Sequence, residues 1–168
     1  KLMTSTILAK NKFGTVKQAS LGDTLKGLTI SHQKCSASLS LYGGQVLTWQ
    51  PTDQQPVFWV SNTAQYQQGK AIRGGVPLCW PWFGPYKEGG NHGFARQVIW
   101  QIDDIVISEQ QVDVTLSWTG ENQTPLWSTP ARLTQTLSFG EQFSQTLTME
   151  NFADKIVEYF NKGENQFI

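Results

Sequence analysis

Charge is what this sequence has least of. Asp, Glu, Lys and Arg together make up 15% of its 168 residues, and the acidic and basic counts cancel at 13 each. A nucleic-acid binder needs a basic stripe to displace counterions, so no nucleic-acid partner is expected. Histidine occurs twice, at His32 and His92, and cysteine twice, at Cys35 and Cys79. Neither type stands at zinc-ligand spacing and there is no CxxC pair, so no metal is expected. The two cysteines read as free thiols of a cytoplasmic protein, with a disulfide between them as the alternative. No apolar run approaches the ~20 residues that span a bilayer, so no membrane partner is expected. The N-terminal KLMTSTILAK lacks the apolar core and cleavage site of a secretory leader. The glycines of Arg73-Gly74-Gly75-Val76-Pro77 match neither the P-loop nor the dinucleotide spacing, so no nucleotide cofactor is expected.

What is present is β-patterned, on a length that suits one domain spanning 1–168. Residues 1–20 are weakly patterned and read as an arm or a first strand. Leu28–Ile30 opens the first clear strand, and Cys35–Leu41 and Val46–Trp49 follow around a turn at Tyr42–Gln45. Val57–Val60 reads as a short strand buried on both faces. Ser61–Ala64 reads as a short helical turn ending near Gly69. Val98–Ile102 and Asp104–Ile107 read as successive strands. Val112–Trp118 alternates with its apolar residues at even positions, and Leu133, Leu137 and Phe139 mark the inward face of the next strand. Gln142–Met149 returns after a turn at Gly140-Glu141. Ala153–Lys162 fits a short helix or a strand equally. Alternating strands joined by short turns give an all-β, antiparallel sandwich or barrel.

The stretch from Lys70 to Trp100, KAIRGGVPLCWPWFGPYKEGGNHGFARQVIW, breaks the pattern. Pro77, Pro81 and Pro85 recur at every fourth position, which forbids a regular helix or a central strand. The result is a long aromatic-packed loop lying across the sheet's open face and presenting Arg73, His92 and Arg96. Structured loops of this length are commonly functional. The guanidinium forks of Arg73 and Arg96 suit a carboxylate or phosphate, or else pair with Asp103 or Asp104. His92 can donate to a hydroxyl or exchange a proton near neutral pH, or else bond a loop carbonyl. The aromatic residues of Trp80–Pro85 read as core beneath the loop, with one or two as an apolar platform under a ligand as the alternative, and His32 reads as a surface residue.

Residues 71–85, AIRGGVPLCWPWFGP, with HGFAR at 92–96 and Trp100, resemble the aldose 1-epimerase-like family, and within it the hexose-6-phosphate mutarotase branch. LYGGQVLTWQP at 41–51, VFWVS at 57–61 and LTMEN at 147–151 extend the likeness over roughly residues 25 to 155. The resemblance implies an antiparallel β-sandwich of the galactose-mutarotase type. It also implies interconversion of the α and β anomers of a hexose 6-phosphate by acid–base ring opening, without a cofactor. It makes Arg73 and Arg96 substrate contacts through the phosphate, and His92 the first catalytic histidine, polarising the sugar hydroxyls.

The family's second histidine and C-terminal glutamate find no matching motif here. Neither Glu158 nor Glu164 takes their place. The expectation is therefore an incomplete, N-terminal half of the sandwich, whose exposed sheet edges favour self-association. Beside the isomerase stand two other expectations: a non-catalytic sugar-phosphate binding module, and a structural remnant without a ligand.

Overall fold

Alternation along an extended chain sends successive side chains to opposite faces, so each strand here has an oily side and a wet side. The structure, a computed structural model, describes residues 5–156 together with the backbone of 158–161 and 164–167. Five strands form one antiparallel meander in chain order: β1 (Thr6–Lys10), β2 (Gly14–Leu21), β3 (Leu25–His32), β4 (Cys35–Ser40) and β5 (Gln45–Pro51). Four more form a second: β6 (Gln101–Ile107), β7 (Gln111–Gly120), β8 (Ala131–Gly140) and β9 (Phe143–Asn151). A hairpin of β10 (Glu158–Asn161) and β11 (Glu164–Phe167) follows. The all-β sandwich expected from the sequence is the observed fold. Among the described residues no helix is long and apolar enough to cross a membrane.

The two meanders share one apolar cluster. Val112, Val114 and Leu116 of β7 and Leu133, Leu137 and Phe139 of β8 are fully buried in it, with Leu28 and Ile30 of β3, Leu39 of β4 and Val46 of β5. These are the residues that alternation places inward. Burying each such side chain contributes about 1.5–3 kcal/mol.

The structure departs from the sequence reading at several points. Residues 6–21 form two strands where one or an arm was expected. Val57 and Trp59 are exposed, so the 57–60 segment is buried on one side only. Residues 61–69 make turns and no helix. Residues 101–107 form one strand, and 98–100 precede it without joining a ladder. The register of β6 on β7 shifts between Ile102 and Asp104, a bulge that disguises its continuity. At the bulge the Asp103 carboxylate accepts from Ser117 Oγ at 2.9 Å and from Arg132 Nη2 at 3.2 Å. Arg132, rather than Arg73 or Arg96, is thus its cation. Of Ala153–Lys162, residues 153–155 make bends and Glu158–Asn161 is a strand, while Val157 and Lys162 lie outside the described residues.

His32 is a further correction, because it is buried. It follows Leu28 and Ile30 in the inward register of β3, and burial is tolerable because both ring nitrogens are bonded. Nδ1 accepts from the Lys34 backbone N–H at 3.1 Å, so Nε2 is the donor to the Ser108 carbonyl at 2.9 Å. The ring thereby pins the β3–β4 turn to the β6–β7 turn.

Leu116 and Val106 test this layering, since they lie on paired strands but differ in burial. Leu116→Ala should cost about 2–5 kcal/mol of unfolding free energy, the range for emptying a sealed core position. Val106→Ala, half exposed, should stay within about 0.5 kcal/mol. Urea denaturation of the two variants would show equal losses if the sandwich core were elsewhere.

Candidate active site

An edge strand offers a row of unpaired backbone groups that the protein must cover. The segment 52–100 covers the outer edge of β5. Val57 N–H bonds Trp49 O at 3.0 Å and Val76 N–H bonds Val46 O at 2.9 Å. The segment carries only two single-turn 3-10 helices, Lys87–Gly89 and Ala95–Gln97. At its far end Gly43 N–H bonds Val98 O at 2.7 Å, and Trp100 N–H bonds Leu41 O at 2.8 Å. The loop thus runs along a sheet edge and does not simply lie over an open face. Gly75 is where it comes nearest: its φ is +61° and a Cβ would sit 1.9 Å from Val46 O.

Aromatics tie the loop to the second sheet. Trp80 is buried, points its indole N–H at Met149 Sδ, 2.7 Å away, and meets Phe94 and Trp127 edge-on at 5.5 and 4.7 Å. Trp82 and Trp100 are also buried. Phe83 is the exception to the expected aromatic core: it is 55% exposed and lies edge-on to the His92 ring at 4.8 Å.

Arg73 and Arg96 line the same cavity, of about 900 Å³, with Lys70, Thr63, Gln65 and Pro77 on its walls. Lys70 was not singled out from the sequence, where it looks like any exposed lysine. Among the described residues no carboxylate lines the cavity. The ion pairs Lys34–Glu141 and Arg132–Asp103 lie elsewhere. Lys70 Nζ is held by Gln65 Oε1 at 3.0 Å, and Arg96 Nη2 by the Asn91 carbonyl at 2.8 Å. Arg96 Nε is buried without an acceptor among the described residues. Three cations with neutral amide and hydroxyl neighbours can hold an oxyanion of two charges.

His92 does not line this cavity. It stands one residue beyond the carbonyl that Arg96 grips, in the left-handed conformation at φ +68°. Its backbone N–H bonds Gly84 O at 2.9 Å, and its Nδ1 accepts from Gly84 N–H at 3.0 Å. With Nδ1 engaged as an acceptor, the proton of the neutral ring sits on Nε2. The imidazole can therefore offer a donor, while its basic nitrogen is occupied.

Among the described residues no cluster of three or more His, Cys, Asp or Glu could hold a metal ion. Cys35 and Cys79 are both free thiols. Burial pushes Cys35 up to about 11, with a hydrogen bond involving Trp49 opposing it. Burial also raises Cys79, against which the Arg96 charge pulls downward.

A sequence profile of the family described as Aldose 1-epimerase matches residues 26–160. The chain belongs to the aldose 1-epimerase family. An Escherichia coli (strain K12) protein named "Putative glucose-6-phosphate 1-epimerase" is 38% identical over 104 residues, 61% of this chain and 35% of that protein. A Salmonella typhimurium protein of the same name is 43% identical over 82 residues, 48% of this chain and 28% of that one. Among solved structures, a "putative mutarotase" from Salmonella typhimurium superposes with a TM-score of 0.79 at 27% identity, over 92% of this chain and 51% of its own. A "galactose mutarotase-like protein" from Clostridium acetobutylicum gives 0.73 at 14% identity, over 89% and 52%, a likeness of fold. The chain spans about half the length of these solved mutarotase relatives.

The Arg96 charge has a chemical reporter in Cys79. The thiolate is the reactive form, so a neighbouring cation that favours it speeds alkylation. Arg96→Met removes the downward pull, and Cys79 should then react more slowly with iodoacetamide at pH 8 than in wild type. Mass spectrometry of the Cys79 peptide over time checks this, and an unchanged or faster rate would contradict the assigned geometry.

Proposed function

We propose that the cavity holds the phosphate of a hexose 6-phosphate during interconversion of its α and β anomers. The observation that carries this is the convergence of Arg73 and Arg96, with Lys70, on one cavity that no carboxylate lines among the described residues. A phosphate monoester is close to a dianion near neutral pH, and two guanidinium groups with an ammonium match that charge. His92, four residues before Arg96 in the chain, donates through Nε2 to a sugar oxygen and polarises it for ring opening. The names of the bacterial relatives point to the same substrate class.

A second reading has its own observation. Proton abstraction from the anomeric hydroxyl needs a base. Among the described residues the cavity wall has no carboxylate, and His92 Nδ1 is committed to Gly84. Sugar-phosphate binding without proton transfer would look the same in the residues described.

Exchange NMR and titration on the same sample separate these readings. Saturable binding of glucose 6-phosphate over glucose, with faster anomer exchange of the phosphate ester alone, supports the isomerase. Binding without acceleration supports the second reading. Equal treatment of glucose and glucose 6-phosphate sinks the phosphate role in both. Hydrogen bonds to a charged group are worth about 1.5–3 kcal/mol. Arg73→Ala should therefore weaken glucose 6-phosphate by roughly one to two decades, at ~1.4 kcal/mol per decade.

A further inference from the structure

Arg73 sits on an extended stretch whose carbonyls alternate in direction. Its own carbonyl accepts from Ser61 N–H at 3.2 Å, and Gly74 bridges Val60 in an antiparallel pair. On the opposite side the carbonyls of Ile72 and Gly74 face no strand. A single side chain takes both: Gln45 Nε2 donates to Ile72 O at 3.1 Å and to Gly74 O at 2.6 Å. One carboxamide has two N–H hydrogens, and both are spent on the residues either side of Arg73. Gln45 opens β5 and is almost wholly buried.

Gln45 is in turn anchored to the second sheet. The carbonyl of Gly44 accepts from Gln135 Nε2 at 2.8 Å, and Gln135 Oε1 accepts from Gln145 Nε2 at 2.9 Å. Gln135 is fully buried on β8. A buried amide costs stability unless its hydrogen bonds are met, so a core rarely carries two without a use for their direction. We infer that Gln45 is a positioning residue for Arg73, clamping the backbone on both sides so that the guanidinium is fixed over the anion cavity. This rests on the phosphate role assigned to Arg73 above.

Sulfate is the probe, because it is a dianion whose charge stays constant across the range used. Gln45→Leu keeps bulk and removes both donors. Gln45→Glu places a carboxyl against two carbonyls, where it can donate only when protonated, and burial raises its pKa. Sulfate affinity should fall roughly tenfold or more in Gln45→Leu, since misplacing a contact by about 1 Å can cost about a hundredfold. In Gln45→Glu the loss relative to wild type should shrink as the pH is lowered from about 8 to 5. The new carboxylate also repels sulfate directly, so the Arg73 Nε–H order parameter, measured without sulfate, separates the clamp from that repulsion. Wild-type affinity in Gln45→Leu, or a pH-independent deficit in Gln45→Glu, overturns the inference. If Gln45→Leu does not fold, the Gln45→Glu profile decides alone.

The parent reading fails separately, when Arg73→Ala binds sulfate as wild type does or wild type does not bind it. The clamp is then read without a ligand, from the NMR order parameter of the Arg73 Nε–H bond. That value should drop in Gln45→Glu at pH 8 and recover at pH 5. An order parameter equal to wild type at both pH values would overturn the clamp.

Discussion

The outer edge of β5 is the constraint on which the molecule turns. A strand with one unpaired side must give its N–H and C=O groups a partner, and here the partner is the chain's own long connection. Because that connection has to follow the edge, residues 57 and 76 are pinned against Trp49 and Val46. Their positions fix where Arg73 can be. The closeness of Gly75 to Val46 O follows from the same demand. The prolines and glycines that spoil this segment as a strand or helix let it serve as an edge cover that turns repeatedly.

The two sheets were legible where alternation was strong. Val112, Val114, Leu116 and Trp118, with Leu133, Leu137 and Phe139, announce an inward face, and all are buried. Legibility failed where polarity did not track burial. β1 is mostly exposed, so its residues carry no stripe to read. His32 occupies an inward position as a polar ring, and its two partners come from a turn near in sequence and one far from it. The bulge at Asp103 breaks the period-two signal of β6 in its middle.

The candidate site divides in the same way. The sequence blocks around Arg73, His92 and Arg96 drew attention to this segment through resemblance, and the glycines beside them marked a special backbone. Sequence could not show that Arg73 and Arg96 share a cavity while His92 stands outside it. Nor could it show that Lys70 joins them, or that Gln45 is turned inward. A glutamine next to two glycines reads as a turn residue, and its role depends on carbonyls 27 and 29 positions away. The acceptor bond on His92 Nδ1 is equally invisible, although it decides what the ring can do.

The contact between Trp80 and Met149 joins residues 69 positions apart, and the bond from Gln135 to Gly44 spans 91. The strand pairings, by contrast, join neighbours in sequence, through short turns except at β7–β8, where the loop 121–130 intervenes. Loop-closure entropy therefore separates the two kinds of structure in time: the meanders can zip locally, while the cavity waits for them to dock. Such late contacts are also the natural place for sub-global opening, so the cavity walls belong to the least protected part of the fold. Native-state hydrogen exchange would register this as faster exchange at the Val76 and Trp100 amides than at those of Leu116 and Leu137. Recognition would then be coupled to folding, since a ligand bridging Arg73 and Arg96 closes the part of the chain that opens first.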